Sequence, residues 1–210
     1  METLRYQLIT LMLVLSISSF AQVKLGVKFS PGITTSKAST TSDTLTISDN
    51  ASGLRFIGGL TVDYQFSDNY YFTSGLAFAN RKSGYKSTGL SGTVFNDNYN
   101  SQYVQIPFAL KMYTNEVAVD KKVYFQAGVA FDIKVKDNAA EKANALISKM
   151  SLFDASIQIS SGLEMALGSN TSAFGGISFQ KGLLNMASEY TPSNLTLKNT
   201  FIGLEVGVKF

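Results

Sequence analysis

The side chains best suited by type to chemistry are eight charged residues scattered along the chain: Lys28, Asp63, Lys111, Asp132, Lys134, Glu164, Glu205 and Lys209. Two carboxylates that share a space can act as acid and base in hydrolysis, and Glu164 with Glu205 is the pair to consider. Lysines in the same company favour a different use, mutual neutralisation as ion pairs. The remaining repertoire is thin. There is no His and no Cys, which removes Ser-His-Asp and Cys-His catalysis, thiolate metal sites and disulfides. Asn96-Asp97-Asn98-Tyr99-Asn100 carries oxygen ligands of the kind calcium uses, but it lacks the glycine and distal glutamate of an EF-hand and reads as a solvated loop. No Walker-type glycine loop or metalloprotease helix motif occurs. The expectation is no enzyme, no catalytic residue, no cofactor and no metal.

The elements that must position those charges are strands. From Val23 onward large apolar residues alternate with small or polar ones at period two. Eight such runs stand out: 24–33, 54–66, 70–80, 102–113, 123–136, 153–167, 173–182 and 200–210. One face carries Leu25, Val27, Phe29, Leu60, Leu76, Leu110, Val129, Ile159 and Leu204. The other carries Gly59, Gly75, Ala77, Ala109, Gly128, Ala130, Gly162, Gly203 and Gly207, and all eight charges fall among these small residues. A water-facing surface would use long polar side chains instead. The interior of an eight-stranded barrel is only just wide enough for side chains, so the small face belongs inside. The large apolar face then points outward, which is stable only in lipid. Within so narrow a lumen an unpaired charge costs several kcal/mol, so the eight charges are expected to form one neutralising network.

Outward aromatics cluster at two depths. Phe29, Phe56, Phe78, Phe131, Phe153 and Phe179 fall at one end of their strands; Tyr64, Phe66, Tyr70, Phe72, Phe125 and Phe210 fall at the other. Two aromatic girdles around an aliphatic middle fit a bilayer band. Connections alternate between short polar turns (67–69, 115–122, 168–171) and long segments rich in Ser, Thr, Asn and Lys (34–53, 81–101, 137–152, 183–199). Thr34 to Ser48 reads as a mobile external loop. Asn138 and Glu141 have capping-box spacing, followed by Ala143, Ile147 and Met150 at helical spacing, which predicts a short helix over 139–150. Pro107 cannot donate to a ladder, so the fourth strand should carry a bulge or an interrupted pairing. The fold class is therefore all-β, a closed antiparallel up-and-down transmembrane barrel of about eight strands with short periplasmic turns and long extracellular loops.

The first residues form a unit of their own. Arg5 precedes an apolar run from Leu8 to Ile17, and Ser19-Phe20-Ala21 has small residues where a signal peptidase reads. The run is too short for the ~20 residues of a spanning helix. Residues 1–21 are expected to be a cleaved signal, leaving 22–210 as the barrel domain in the bacterial outer membrane. Charged residues make up 16% and the net charge is +3, dispersed along the chain, so nucleic acid is not an expected partner. Expected partners are outer-membrane lipid, the assembly machinery during insertion, and an envelope or secretion protein met by a monomer.

The chain also resembles the PorT-like outer-membrane β-barrel family. Tyr103-Val104-Gln105-Ile106-Pro107-Phe108-Ala109-Leu110-Lys111 is similar to the family's Tyr-x-x-Ile-Pro strand, and Gly182-Leu183-Leu184-Asn185 to its Gly-Leu-x-Asn after the seventh strand. Gly203-Leu204-Glu205-Val206-Gly207-Val208-Lys209-Phe210 is similar to its glycine-rich last strand. The resemblance implies the same fold and location, and links the founding member to type IX protein secretion. It supplies no catalytic residue. Phe210 is the expected assembly signal. The leading expectation is a structural or interaction protein with no open pore; a secretion accessory, a small pore and a barrel-embedded lipid enzyme are the alternatives.

Overall fold

A computed structural model describes residues 22–39, 45–49, 52–89, 94–139, 147–190 and 196–210, with side chains over 22–39, 53–81, 100–136, 150–186 and 196–210. Residues 1–21, including the expected signal, lie outside it. Numbered in chain order, eight strands make the wall: β1 Val23–Ser39, β3 Ser52–Ser67, β4 Tyr70–Gly89, β5 Val94–Ala118, β6 Lys121–Ala139, β8 Phe153–Ala166, β9 Ser172–Gly182 and β11 Thr196–Lys209. Short strands β2 (Leu45–Asp49), β7 (Ile147–Met150) and β10 (Ala187–Tyr190) accompany them; β2 pairs with the far end of β4, and β7 pairs with β10. Every wall strand pairs antiparallel with its neighbours, and β1 pairs with β11 to close the ring. Closure leaves no edge, so every ladder is satisfied without water.

The stagger can be read by following one hydrogen-bonded row around the wall. It runs Val23, Tyr64, Phe72, Leu110, Ala127, Ile159, Phe179 and Ile202, and returns to β1 at Ile33. The row arrives ten residues above its start (33 − 23). For eight strands that stagger corresponds to a tilt of about 40°. Small residues make such coiling possible. At Gly59 a Cβ would lie 2.2 Å from the Leu76 carbonyl oxygen, and at Gly128 the same distance from that of Phe108. Neither position can hold a side chain without moving the neighbouring strand.

The large apolar set faces outward: Leu25, Leu60, Leu110, Ile159 and Leu204 are all more than half exposed. Aromatics meet along the wall at both depths, Phe29 with Phe56 and Phe56 with Phe78 near one rim, and Phe66 with Tyr70 near the other. Opposite Pro107 the β4–β5 ladder is interrupted: Ser74 pairs with Phe108 and Ala77 with Gln105, with no pairing between, while Ser74 Oγ donates to the Pro107 carbonyl at 3.0 Å.

Several segments differ from their sequence reading. The strands run well beyond their apolar stretches, so much of 34–53 and 81–101 is sheet rather than loop, including Thr34–Ser39 and the Asn96–Asn100 segment. Above the membrane band both faces are polar, and period-two contrast disappears while the ladder continues. The turn expected over 115–122 shrinks to Val119–Asp120, with Asp120 at φ 59°. The helix expected over 139–150 is not formed at its ends: Ala139 closes β6, and Ile147–Met150 form β7 against β10. That strand pairing satisfies backbone groups that a helix would have bonded internally. Residues 140–146 lie outside the description.

Candidate functional site: two charge layers in the lumen

The inward rows carry two layers of charge separated by a middle of small residues and glutamines. Toward the turn rim, Asp63 on β3 is clasped by two lysines. Lys111 Nζ donates to its Oδ2 at 2.8 Å and its Oδ1 at 3.1 Å, and Lys209 Nζ lies 2.7 Å from Oδ2. Thr73 Oγ1 donates to Asp63 Oδ1 at 2.7 Å. Lys209 Nζ also reaches Glu164 Oε2 and Tyr113 Oη, both at 2.6 Å. Glu164 accepts further bonds from Tyr113 Oη at 2.5 Å and Ser172 Oγ at 2.8 Å. One step deeper, Glu205 accepts from Tyr124 Oη at 2.6 Å and faces Lys28 Nζ at 3.7 Å. Tyr71, Tyr113, Tyr124 and Phe174 fill the gaps, and Lys209 Nζ sits 5.1 Å from the centre of the Phe174 ring. Three cations meet three carboxylates, and five of the six are nearly fully buried. Burial at this level is tolerable only because each charge has a hydrogen-bonded counterpart.

Toward the loop rim the chemistry changes from lysine to arginine. Arg81, fully buried on β4, forks between two aspartates: Nη1 donates to Asp154 Oδ2 at 2.5 Å and Nη2 to Asp132 Oδ2. The planar fork suits this double grip. Gln105 Nε2 donates to Asp132 Oδ1 at 2.8 Å. Among the described residues Arg55 has no carboxylate in contact; it donates to Gln180 Oε1 at 3.5 Å and stacks 4.8 Å from the Phe201 ring centre. Arg81 stacks likewise over Tyr103 at 4.7 Å. Beyond this layer Met150, Met186 and Leu197 are buried.

Between the layers the hydroxyls of Ser30, Ser160 and Ser178 and the amide nitrogen of Gln158 have no hydrogen-bond partner among the described residues. They border a space of about 10 Å³, room for about one water. At the turn-side mouth a recess of about 180 Å³ is lined by Lys24, Glu116, Asp120, Lys122 and Glu164.

Of the eight charges picked from the sequence, Lys28, Asp63, Lys111, Glu164, Glu205 and Lys209 lie together in the turn-side layer. Asp132 lies in the loop-side layer. Lys134 stands at the loop rim, where its Nζ donates to the Met150 carbonyl at 2.7 Å. Glu164 and Glu205 are held by different cations, Lys209 and Lys28. Sequence reasoning missed Arg55, Arg81 and Asp154, and the inward tyrosines. Arg55 and Asp154 lie on the inward parity of recognised strands, so the signal was present. Arg81 falls in the connection expected over 81–101 because the apolar alternation of β4 ends at Asn80.

A closed eight-stranded wall with a lipid-compatible exterior and a charge-paired interior defines a β-barrel of the bacterial outer membrane. The family model for the outer membrane protein beta-barrel domain matches residues 19–188, and the chain belongs to that family. Among solved structures it is similar to the outer membrane protein OprG from Pseudomonas aeruginosa, at 14% identity and TM-score 0.55, covering 90% of this chain and 95% of that one. It is also similar to Neisserial surface protein A, NspA, at 11% identity and TM-score 0.49, covering 89% and 97%. No curated protein sequence matches the chain.

Proposed function

We propose that this barrel is a sealed structural or interaction protein whose rims meet a partner, and that it neither conducts solutes nor catalyses a reaction. The observation that carries the reading is the pair of charge layers crossing the lumen, because an aqueous bore needs about 16 strands and an unobstructed interior. The inward carboxylates are engaged by lysine, arginine or tyrosine rather than held ready for a substrate. The two-layer packing supports a scaffold role, with stability built into the lumen. On this reading residues 1–21 are removed on export. Phe210, 62% exposed at the turn rim, acts as the assembly signal. Recording from the purified protein in a planar bilayer tests the seal. No stable conductance steps are expected, and porin-like steps would overturn it. Cross-linked pull-down from outer membranes tests for the partner.

A narrower reading is an accessory of protein secretion. It rests on the PorT-like segments, Tyr103 to Lys111 above all, in which Tyr103 and Lys111 point inward while Pro107 interrupts the ladder. Co-purification with components of a secretion machine, and loss of secretion on deletion, are its tests.

A further inference from the structure

The upper edge of the apolar band is uneven. Phe78, Val104, Ile133 and Phe153 form one hydrogen-bonded row across β4, β5, β6 and β8. One rung higher, β4 and β5 turn polar at Asn80 and Gln102. On the other flank the first polar rung is Lys181, Thr200 and Thr35, also one continuous row. On β6 the same rung holds Lys136, exposed, and the apolar surface continues directly beneath it and beside it on β8. A register shift after Gln102 leaves Val135 unmatched and 64% exposed, and Leu152 and Phe153 beside it are 53% and 58% exposed. Leu183 and Leu184 extend the same surface from the end of β9, at 42% and 46%.

This ledge is built, not loose. Lys134 N donates to the Leu152 carbonyl at 2.8 Å, and Leu183 N to the Ala155 carbonyl at 2.8 Å. Asn185 Oδ1 accepts from Leu197 N at 2.9 Å, which fixes the turn carrying both leucines. The Gly-Leu-x-Asn segment thus acts as a bracket: Gly182 passes close to the Asn199 carbonyl, Asn185 anchors to β11, and the two leucines between are left pointing outward.

We infer that the ledge of Val135, Leu152, Phe153, Leu183 and Leu184 is covered by the acyl chains of the outer leaflet, so that hydrocarbon reaches higher along β6–β8 than along β4 or β11. Its continuity with the lipid-facing surface below, through Ile133 and Phe131, assigns the occupant. One rung is two residues, roughly 5 Å along the axis at this tilt. A patch of that size left in water would be the exception for a membrane barrel's rim, where polar residues normally begin.

The chain has no cysteine, so single nitroxide labels can be placed cleanly at Val135→Cys, Leu183→Cys, Asn80→Cys and Thr200→Cys. The full chain is inserted into phosphatidylcholine vesicles, and each variant is first checked for heat-modifiable migration. Labels at 135 and 183 are expected to collide several-fold more with oxygen than with a water-soluble nickel chelate, and labels at 80 and 200 the reverse. Equal nickel access at all four sites would place the ledge in water and overturn the inference. Shielding of 135 and 183 from both reagents would overturn it in favour of protein. If that shielding fell on dilution with lipid, the cover would be a second copy.

Discussion

The two ends of the lumen solve one problem with different side chains. At the turn end three lysines face three carboxylates, and Asp63 alone serves two of the lysines. At the loop end two arginines face two aspartates, yet one arginine does all the direct pairing and Arg55 stands beside it on a ring and an amide. Both layers are neutral in formal charge, three against three and two against two. They differ in redundancy. In the lysine layer Lys111 depends on Asp63 alone, whereas the arginine layer holds a second guanidinium within the same layer. A buried network is only as tolerant as its least replaceable member.

The largest effect is expected at that member. Asp63→Ala leaves Lys111 without a carboxylate and Lys209 with one, and should cost about 3–5 kcal/mol, measured as denaturant unfolding in detergent. Replacing Arg81 with Met should cost less, about half as much, because Arg55 can turn toward Asp132 and Asp154. The double change at Arg55 and Arg81 should restore the full penalty. If Arg81→Met alone matches Asp63→Ala, the redundancy argument fails. Tyr113→Phe removes one hydroxyl bonded to both Glu164 and Lys209. It should cost about 1.5–3 kcal/mol. A smaller effect than at Asp63 is also expected for Lys28→Met. Its 3.7 Å contact is the longest of the ion pairs described above, and Tyr124 continues to serve Glu205. The buried carboxylate nevertheless loses its cation, so about 1–3 kcal/mol is expected. Tyr103→Phe, which removes a buried hydroxyl beside Ser101 but keeps the ring stacked on Arg81, should cost less, about 0.5–1.5 kcal/mol. Conductance sharpens the contrast differently. Breaking either layer alone should leave the bilayer silent, and only a protein broken in both should conduct.

How much of this was legible in the sequence depended on where contrast between faces existed. Within the membrane band large apolar residues oppose glycine and alanine, so Leu60 against Gly59 and Val129 against Gly128 fix strand, face and lumen together. Pro107 announced its own interruption because a missing N–H is a local fact. Above the band the rule loses its signal. Residues 81–89 and 94–101 are strand held by backbone pairing between β4 and β5, in a stretch of mostly polar sequence without apolar alternation. Arg81, the centre of the loop-side layer, sits at that boundary. Inward tyrosines were passed over for another reason: an aromatic residue in a barrel reads first as girdle. Only the parity of Tyr113 with Lys111, and of Tyr124 with Gln126, sends them inside. The helical spacing of 139–150 misled because Ile147 to Met150 find a pairing partner, β10, far along the chain.

Lys209 also has a temporal meaning. Its three contacts lie on β3, β5 and β8, so they cannot form until β11 has been placed. By contrast Arg81, Asp132 and Asp154 are all present once β8 exists, with separations of 51 and 73 residues. The arginine fork needs only β4, β6 and β8 and can close while the wall is open at the β1–β11 seam, whereas the lysine clasp needs the last strand. Until β11 arrives, Lys111 and Asp63 can hold one another, but Glu164 waits with only Tyr113 and Ser172. A chain without its last strand keeps the arginine fork but loses both the lysine clasp and the ring on which Arg55 stacks.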